Sequence, residues 1–239
     1  MTRTAVVTGG GTGIGKAVSA RLVEQGLDVV ITGRRAGVLT ETAAEIGARP
    51  VVFDASAPEE VEKALAELPE RVDVLVNNAG GNMTRRLPTP EGLADVRNLW
   101  LANFESNVLS AVLVTTALEP RLADHARVIT IGSIAARRGS SSYGPAKAAL
   151  EAWTAELAFQ LGGRGITANV VSPGVTEETE FFGGTLSEER RKKLVGNPAN
   201  GRAGTPADVA AAVTFLAAAE AGHITGQVIG VNGGAGLGR

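Results

Sequence analysis

Cysteine is missing from the 239 residues, which excludes disulfides, thiolate metal sites and cysteine nucleophiles. Histidine is nearly missing. His125 and His223 lie far apart in the chain, so a histidine-based metal site within one chain is not expected. With no G-x-S-x-G elbow and neither histidine after a strand end, a Ser-His-Asp hydrolase is disfavoured. Aromatic residues make up 4% of the chain, and only one is a tyrosine. Neither sign of charge dominates: 23 basic residues against 25 acidic, net −2, argue against a nucleic-acid or acidic-membrane partner. No unbroken apolar run approaches the ~18 residues of a membrane span; the longest candidate, Val209 to Ala219, contains Thr214. The opening MTRTAVVTGG enters a strand pattern without the apolar core of a signal peptide, so a cytoplasmic protein is expected.

What the chain has in excess is glycine, 31 residues, roughly twice the usual ~7% share. Tight turns or close backbone approaches are therefore expected. Compact β-branched runs alternate with helical patterns along the chain. Strands are expected at Thr4–Thr8, Asp28–Thr32, Pro50–Phe53, Val72–Val76, Val128–Ile131, Thr167–Val171 and Val228–Val231. Helices are expected at Gly13–Gln25, Ala36–Ile46, from Pro58, over about Glu91 to Ala123 with room for an interruption, at Tyr143–Leu161 and at Pro206–Ala219, the last capped by Thr205. Such alternation implies right-handed βαβ units. The expected fold is one α/β domain over residues 1–239: a doubly wound, parallel, seven-stranded sheet with helices on both faces, of Rossmann type. A substrate lid is expected at about 175–205.

The glycines concentrate where the first strand meets the first helix, in Thr8-Gly9-Gly10-Gly11-Thr12-Gly13-Ile14-Gly15. Backbone N–H groups at such a turn can face phosphate, and the helix N-terminus favours negative charge. Gly10-x4-Gly15-Lys16 begins a P-loop, but Ala17 stands where a Mg²⁺-binding hydroxyl is needed. The G-x-G-x-x-G dinucleotide fingerprint fails too, because its third glycine would be Ile14 or Lys16. The pattern that fits is T-G-x3-G-x-G, through Gly9, Gly13 and Gly15. The plain alternative is a purely structural turn.

Tyr143 and Lys147 stand four apart, on one face of a helix, with Pro145 tolerable in its first turn. A phenol with a pKa of ~10 is a poor acid or base near neutrality. A neighbouring ammonium and a helix N-terminus are expected to lower that value and make the pair suited to proton transfer. Ser133 ends the fifth strand, at the sheet edge where ligands sit in such folds. After the second strand, Arg34 and Arg35 stand where an acidic residue would accept a ribose hydroxyl. Guanidinium forks suit a phosphate there, and an ordinary solvated turn is the alternative.

Together these segments resemble the short-chain dehydrogenase/reductase family over roughly residues 4 to 234. They include Asn77-Asn78-Ala79-Gly80, Tyr-x3-Lys, Pro173-Gly174 and ITGQVIGVNGG. The resemblance implies catalytic roles for Asn107, Ser133, Tyr143 and Lys147, with Asn103 a rival to Asn107. In the family the serine hydrogen-bonds the substrate oxygen, and the asparagine holds a water that links the lysine to solvent. The resemblance implies a cofactor bound by Gly9, Gly11, Thr12, Gly13, Ile14 and Gly15 in the turn, and by Arg34, Arg35, Asp54 and Ala55 around the adenosine. Asn78, Ala79, Gly80, Tyr143 and Lys147 would follow it inward, and Pro173, Gly174, Thr176 and Thr179 would close over it.

Two departures stand out. Glu178 takes the place of the family's usual threonine, with Thr179 next. Ser133 and Tyr143 are also closer in sequence than in most relatives, so the Ala135–Ser142 loop is short.

The expected function is an NADPH-dependent reductase that turns a ketone into a secondary alcohol, of 3-oxoacyl or polyketide type. NADP(H) is preferred, with NAD(H) an option, and no metal is expected. The alternatives are an NAD⁺-dependent alcohol dehydrogenase and a non-catalytic dinucleotide sensor. Substrate contacts are expected from Gly81–Pro90, from Ala135–Ser142 and from Glu177–Gly196, with Phe181, Phe182 and Leu186 as lid or plain anchor. The substrate would be a small carbonyl or alcohol compound, free or carrier-linked. The resemblance further implies a homotetramer or homodimer.

Overall fold

The computed structural model describes residues 2–177, 179 and 198–236. Strands β1 (Thr4–Thr8), β2 (Asp28–Gly33), β3 (Arg49–Val52), β4 (Val72–Asn77), β5 (Leu122–Ile131), β6 (Thr167–Pro173) and β7 (Val228–Val231) form one parallel sheet. Their order is β3-β2-β1-β4-β5-β6-β7, so the winding reverses between β1 and β4. In open α/β sheets that reversal opens a crevice at the carboxyl ends of the strands.

Strands covered on both faces read as continuous apolar runs, and every residue of β4 is buried. Alternation then sends neighbours to opposite layers. Val6, Val30, Leu75 and Val128 pack on one face with Val61 of α3 (Pro58–Ala64), Leu118 of α5 (Ser110–Leu118) and Leu157 of α7 (Tyr143–Gly162). Val7, Ile31, Val76 and Ile129 pack on the other. Their partners are Val18 and Leu22 of α1 (Gly13–Glu24), Leu39 of α2 (Ala36–Ile46) and Val213 of α8 (Pro206–Ala217). The cap expected at Thr205 is present as a capping box with Asp208.

Three local expectations are corrected. The long helix begins as α4 (Leu93–Phe104), passes through a π-helical turn at Glu105–Leu109, and ends with α5 at Leu118. The residues expected to extend it instead open β5 six residues early, because Leu122 pairs with Val72. Elements in the supposed loops are a 3-10 turn, Met83–Arg85, and the short α6 (Ala135–Arg138). Within the 29-residue run Leu93–Arg121 one 18-residue stretch reaches a mean hydropathy of 1.2, long and apolar enough to cross a membrane by length and composition alone. Here it carries buried Asn103, Asn107 and Ser110 toward the crevice and Val114 and Leu118 into the core. Most of the expected lid, including Phe181, Phe182 and Leu186, lies outside the described residues.

Candidate active site

The crevice is a cleft of about 640 Å³ running from Asp54 to Tyr143. That is within the ~300–1,000 Å³ typical of small-molecule sites. Its floor is the glycine turn, pinned by the segment after β4. Thr8 Oγ1 accepts the backbone N–H groups of Asn78 (3.0 Å) and Ala79 (2.9 Å). The Asn78 side-chain amide donates in turn to the carbonyls of Thr8 (2.9 Å) and Gly9 (3.0 Å). The turn itself needs glycine. Gly9 has φ +64°, and a β-carbon on Gly15 would stand 2.1 Å from the Gly9 carbonyl oxygen. Gly15 accordingly lies behind the cleft wall, while Gly11, Thr12, Gly13 and Ile14 face the space.

At the β2–β3 end, Arg34 Nη1 lies 3.2 Å from Asp54 Oδ2. Burial tends to raise the Asp54 pKa, but two hydrogen bonds from Ser56 and the Arg34 charge outweigh it and hold the carboxyl below its usual range. Arg35 Nη2 reaches Thr12 Oγ1 at 3.5 Å. Ala55 is buried beside Asp54. On the far wall, Pro173, Gly174 and Thr176 border the cleft, and Thr179 donates its hydroxyl to the Thr176 carbonyl (3.2 Å). The Thr179 Cγ2 sits 3.4 Å from where a Gly13 β-carbon would be, so Thr179 packs over the glycine turn.

The inner end holds the titratable groups. Tyr143 and Lys147 are each 5% exposed on the first turns of α7. Lys147 Nζ donates to the Ile131 carbonyl (2.8 Å) and lies 5.8 Å from the Tyr143 ring centre. Ser133 is hydrogen-bonded to Tyr143 and accepts the Ala135 N–H (3.2 Å). Burial dominates both ionisations. It pushes Tyr143 up to about 12, against smaller opposing effects of the Ser133 bond and the Arg85 charge, and Lys147 down to about 8. In the protein alone desolvation outweighs the Ser133 hydrogen bond and the Arg85 charge, so the lowering expected of the phenol is not produced by these surroundings by themselves.

The short Ser133–Tyr143 connection closes by a close approach. The turn Ala135–Gly139 folds onto α7 at Gly144, where a β-carbon would meet the Ala135 carbonyl oxygen at 2.7 Å. Asn107 does not line the cleft. It sits 1% exposed in the π-helical turn, donating to the Gly81 carbonyl (2.8 Å) and accepting its N–H (3.2 Å). Its other amide contacts go to Asn103 and Ser106. Its neighbour Asn103 is fully buried, accepts the Met83 N–H (3.0 Å) and donates to Ser142 Oγ (2.8 Å). The sequence signal for that link is a polar pair one helical turn apart in an apolar helix.

A parallel sheet with a glycine-lined phosphate cradle at its switch point and a buried tyrosine–lysine pair defines a class, the dinucleotide-dependent oxidoreductases. The chain belongs to the short-chain dehydrogenase/reductase family and is an NAD(P)-dependent oxidoreductase. A family profile described as Enoyl-(Acyl carrier protein) reductase matches residues 9–236. The chain is 35% identical to short-chain reductase protein NovJ of Streptomyces niveus, over 96% of this chain and 92% of the relative. It is also 35% identical to 3-oxoacyl-[acyl-carrier-protein] reductase FabG of Escherichia coli, over 96% of each chain. Among solved structures it is similar to a blue fluorescent protein from a metagenomic library in complex with NADPH. That likeness has a TM-score of 0.85 and 34% identity over 98% of each chain. A second is a short-chain dehydrogenase/reductase from Brucella melitensis, with a TM-score of 0.88 and 28% identity over 99% and 97%.

Proposed function

We propose that the protein is an NADPH-dependent ketoreductase in which Tyr143 is the proton donor. The observation that carries this reading is Tyr143, buried at the carboxyl edge of the sheet within reach of Ser133 and with the Lys147 Nζ 5.8 Å from its ring centre. Burial keeps the proton on Tyr143 at neutral pH, so the phenol stands in its proton-bearing form beside the place of the ketone oxygen.

The cleft suits the cofactor. The glycine turn has room for a pyrophosphate against backbone N–H groups, and Arg34 and Arg35 flank the place of the adenosine phosphate. NADPH-bound and 3-oxoacyl-reducing relatives support the same choice. When bound, the nicotinamide supplies hydride to the carbonyl carbon. Tyr143 then gives its hydroxyl proton to the substrate oxygen, while Ser133 Oγ hydrogen-bonds that oxygen and orients it. The Lys147 ammonium, already near the ring, stabilises the phenolate left behind. Asn107 holds the Gly81 segment in place, and resupply of the proton from solvent through Lys147 and Asn107 belongs to the same proposal. The remaining cofactor contacts of this proposal are Gly9, Gly11, Thr12, Gly13, Ile14, Ala55, Asn78, Ala79, Gly80, Pro173, Gly174, Thr176 and Thr179, which line the cleft, and the segment 175–205 is proposed as its lid. We place this single-domain enzyme in the cytoplasm as a homodimer or homotetramer. The exposed Trp100 and Leu101 of α4 and Phe159 of α7 support assembly.

The matching profile's description favours a second reading, reduction of a carbon–carbon double bond conjugated to a thioester. One assay separates the two: NADPH consumption with the N-acetylcysteamine thioesters of acetoacetate and of crotonate. We expect turnover of the first, and a loss of roughly 100-fold or more in Tyr143→Phe with NADPH binding retained. Turnover of crotonyl thioester alone, or full activity without the phenol, would overturn the ketoreductase reading.

A further inference from the structure

Among the described residues, six cationic side chains line the cleft (Arg34, Arg35, Arg85, Arg86, Arg138 and Lys147) against a single carboxylate, Asp54. The chain as a whole has a net charge of −2, so positive charge is concentrated in this one concavity. The cofactor reading uses Arg34 and Arg35 at the adenosine end and Lys147 at the reacting centre. Three arginines are left over, all on the two loops that flank Tyr143.

They are not on loose chain. Arg85 and Arg86 follow a turn whose start is doubly held: Asn82 Oδ1 accepts the Thr84 N–H (3.0 Å), and Asn103 Oδ1 accepts the Met83 N–H (3.0 Å). Asn82 and Asn103 are both buried. The Arg86 Cζ and Nη2 lie 3.4 Å from where a Gly81 β-carbon would be, and Gly81 is the residue Asn107 grips from behind. The Arg86 head therefore lies over Gly81 while remaining exposed to solvent. Among the described residues it has no carboxylate within ion-pair distance. Arg85 is near enough for its charge to act on Tyr143. On the other loop Arg138, at the end of α6, is steadied by donating Nη2 to the Ala235 carbonyl, and among the described residues it too has no carboxylate within ion-pair distance.

We propose that the carbonyl substrate carries an anionic group, a carboxylate or a phosphate, received by Arg86 and Arg138 at the open end of the cleft beside Tyr143. Exposed guanidinium groups presented to one cleft from two loops favour such oxyanions by paired hydrogen bonds as well as charge. The inference rests on the ketoreductase reading and narrows its substrate class. The anion has two possible sources: a free oxo acid, with its carboxylate near the carbonyl, or the phosphate of a pantetheine arm.

The test uses the NADPH-saturated protein and two matched pairs of probes: acetoacetate with its neutral ethyl ester, and acetoacetyl-coenzyme A with the neutral N-acetylcysteamine thioester. Binding is read from NADPH fluorescence, and turnover is followed in the same samples. At least one anion should bind about 10-fold or more tighter than its neutral partner, equivalent to about 1.4 kcal/mol. That preference should fall by a similar factor in Arg86→Gln and Arg138→Gln, and persist in Arg21→Gln on the remote α1. Preference for acetoacetate alone assigns a carboxylate, and preference for the coenzyme A thioester alone assigns the phosphate. Equal binding within both pairs, or a preference that survives the double variant, overturns the inference. Anion preference in binding with no turnover of any probe upholds the anion site and overturns the ketoreductase reading instead.

Discussion

The side-chain amide of Asn103 donates to the hydroxyl of Ser142 at 2.8 Å, joining α4 to the residue before Tyr143. Both partners are fully buried, and the same amide's oxygen holds the Met83 N–H. One asparagine therefore ties the loop bearing Arg85 and Arg86 to the start of the helix that carries Tyr143.

Asn103→Leu leaves the Met83 N–H and the Ser142 hydroxyl buried without that partner, at a cost of about 1–3 kcal/mol in stability. Because the adenosine end is remote from both, NADPH affinity should change little while kcat falls roughly tenfold or more. Urea unfolding of Asn103→Ala, Ser142→Ala and the double variant should give a coupling of about 0.5–3 kcal/mol. Additive effects would mean that the bond contributes nothing.

Gly144→Ala is expected to damage catalysis without disturbing the fold's core. The added methyl would stand 2.7 Å from the Ala135 carbonyl oxygen and 3.2 Å from the Gly139 backbone, so α6 must shift and carry Ser133's neighbour Ala135 with it. A kcat loss of roughly tenfold or more is expected, with NADPH affinity retained, as misplacement by ~1 Å can cost ~100-fold. Wild-type kcat in this variant would show that the loop accommodates a side chain there.

Cofactor choice should depend on Arg34. Its Ala variant is expected to lose about 10-fold, or about 1.4 kcal/mol, of NADPH affinity and little NADH affinity, measured by fluorescence titration. The variant also removes a cation that helps hold Asp54 ionised. Equal losses for both cofactors would point to a general electrostatic effect in place of phosphate recognition.

Stability should carry the signature of the buried pair. Lys147 falls from 10.5 to about 8 on folding, so between those values the unfolded chain binds the extra proton and this group's contribution to stability rises with pH. Tyr143 acts oppositely, its contribution falling as pH rises from 10 to about 12. Wild-type stability minus that of Lys147→Met, from urea unfolding, should therefore grow between about pH 7 and about pH 10. A constant or shrinking difference would contradict burial as the cause.

Several parts of this architecture are local in origin and were legible residue by residue. Short apolar runs such as Val74-Leu75-Val76 announce strands covered on both faces, and the glycine run before α1 announces a tight turn, closed to a side chain at Gly10 and Gly15. Thr205-Pro206 followed by Asp208 announces a capped helix start. The Tyr143–Lys147 spacing places both side chains on one helical face whatever surrounds them. By contrast, the start of β5 was hidden, because Leu122 looks like a helical residue until Val72 pairs with it.

The amino-acid sequence by itself thus determined the order of elements, the glycine turn between β1 and α1 and the pairing of Tyr143 with Lys147 on one helical face, because each depends on neighbours a few residues away. Only the tertiary structure decided their electrostatics and their support. The direction of the Tyr143 shift follows from burial by distant elements. Asn103 reaches Ser142 across 39 residues, Asn107 reaches Gly81 across 26, and Arg86 and Arg138 meet one cleft from separate loops. Desolvation and long-range hydrogen bonding are properties of the packed surroundings, which local spacing does not encode.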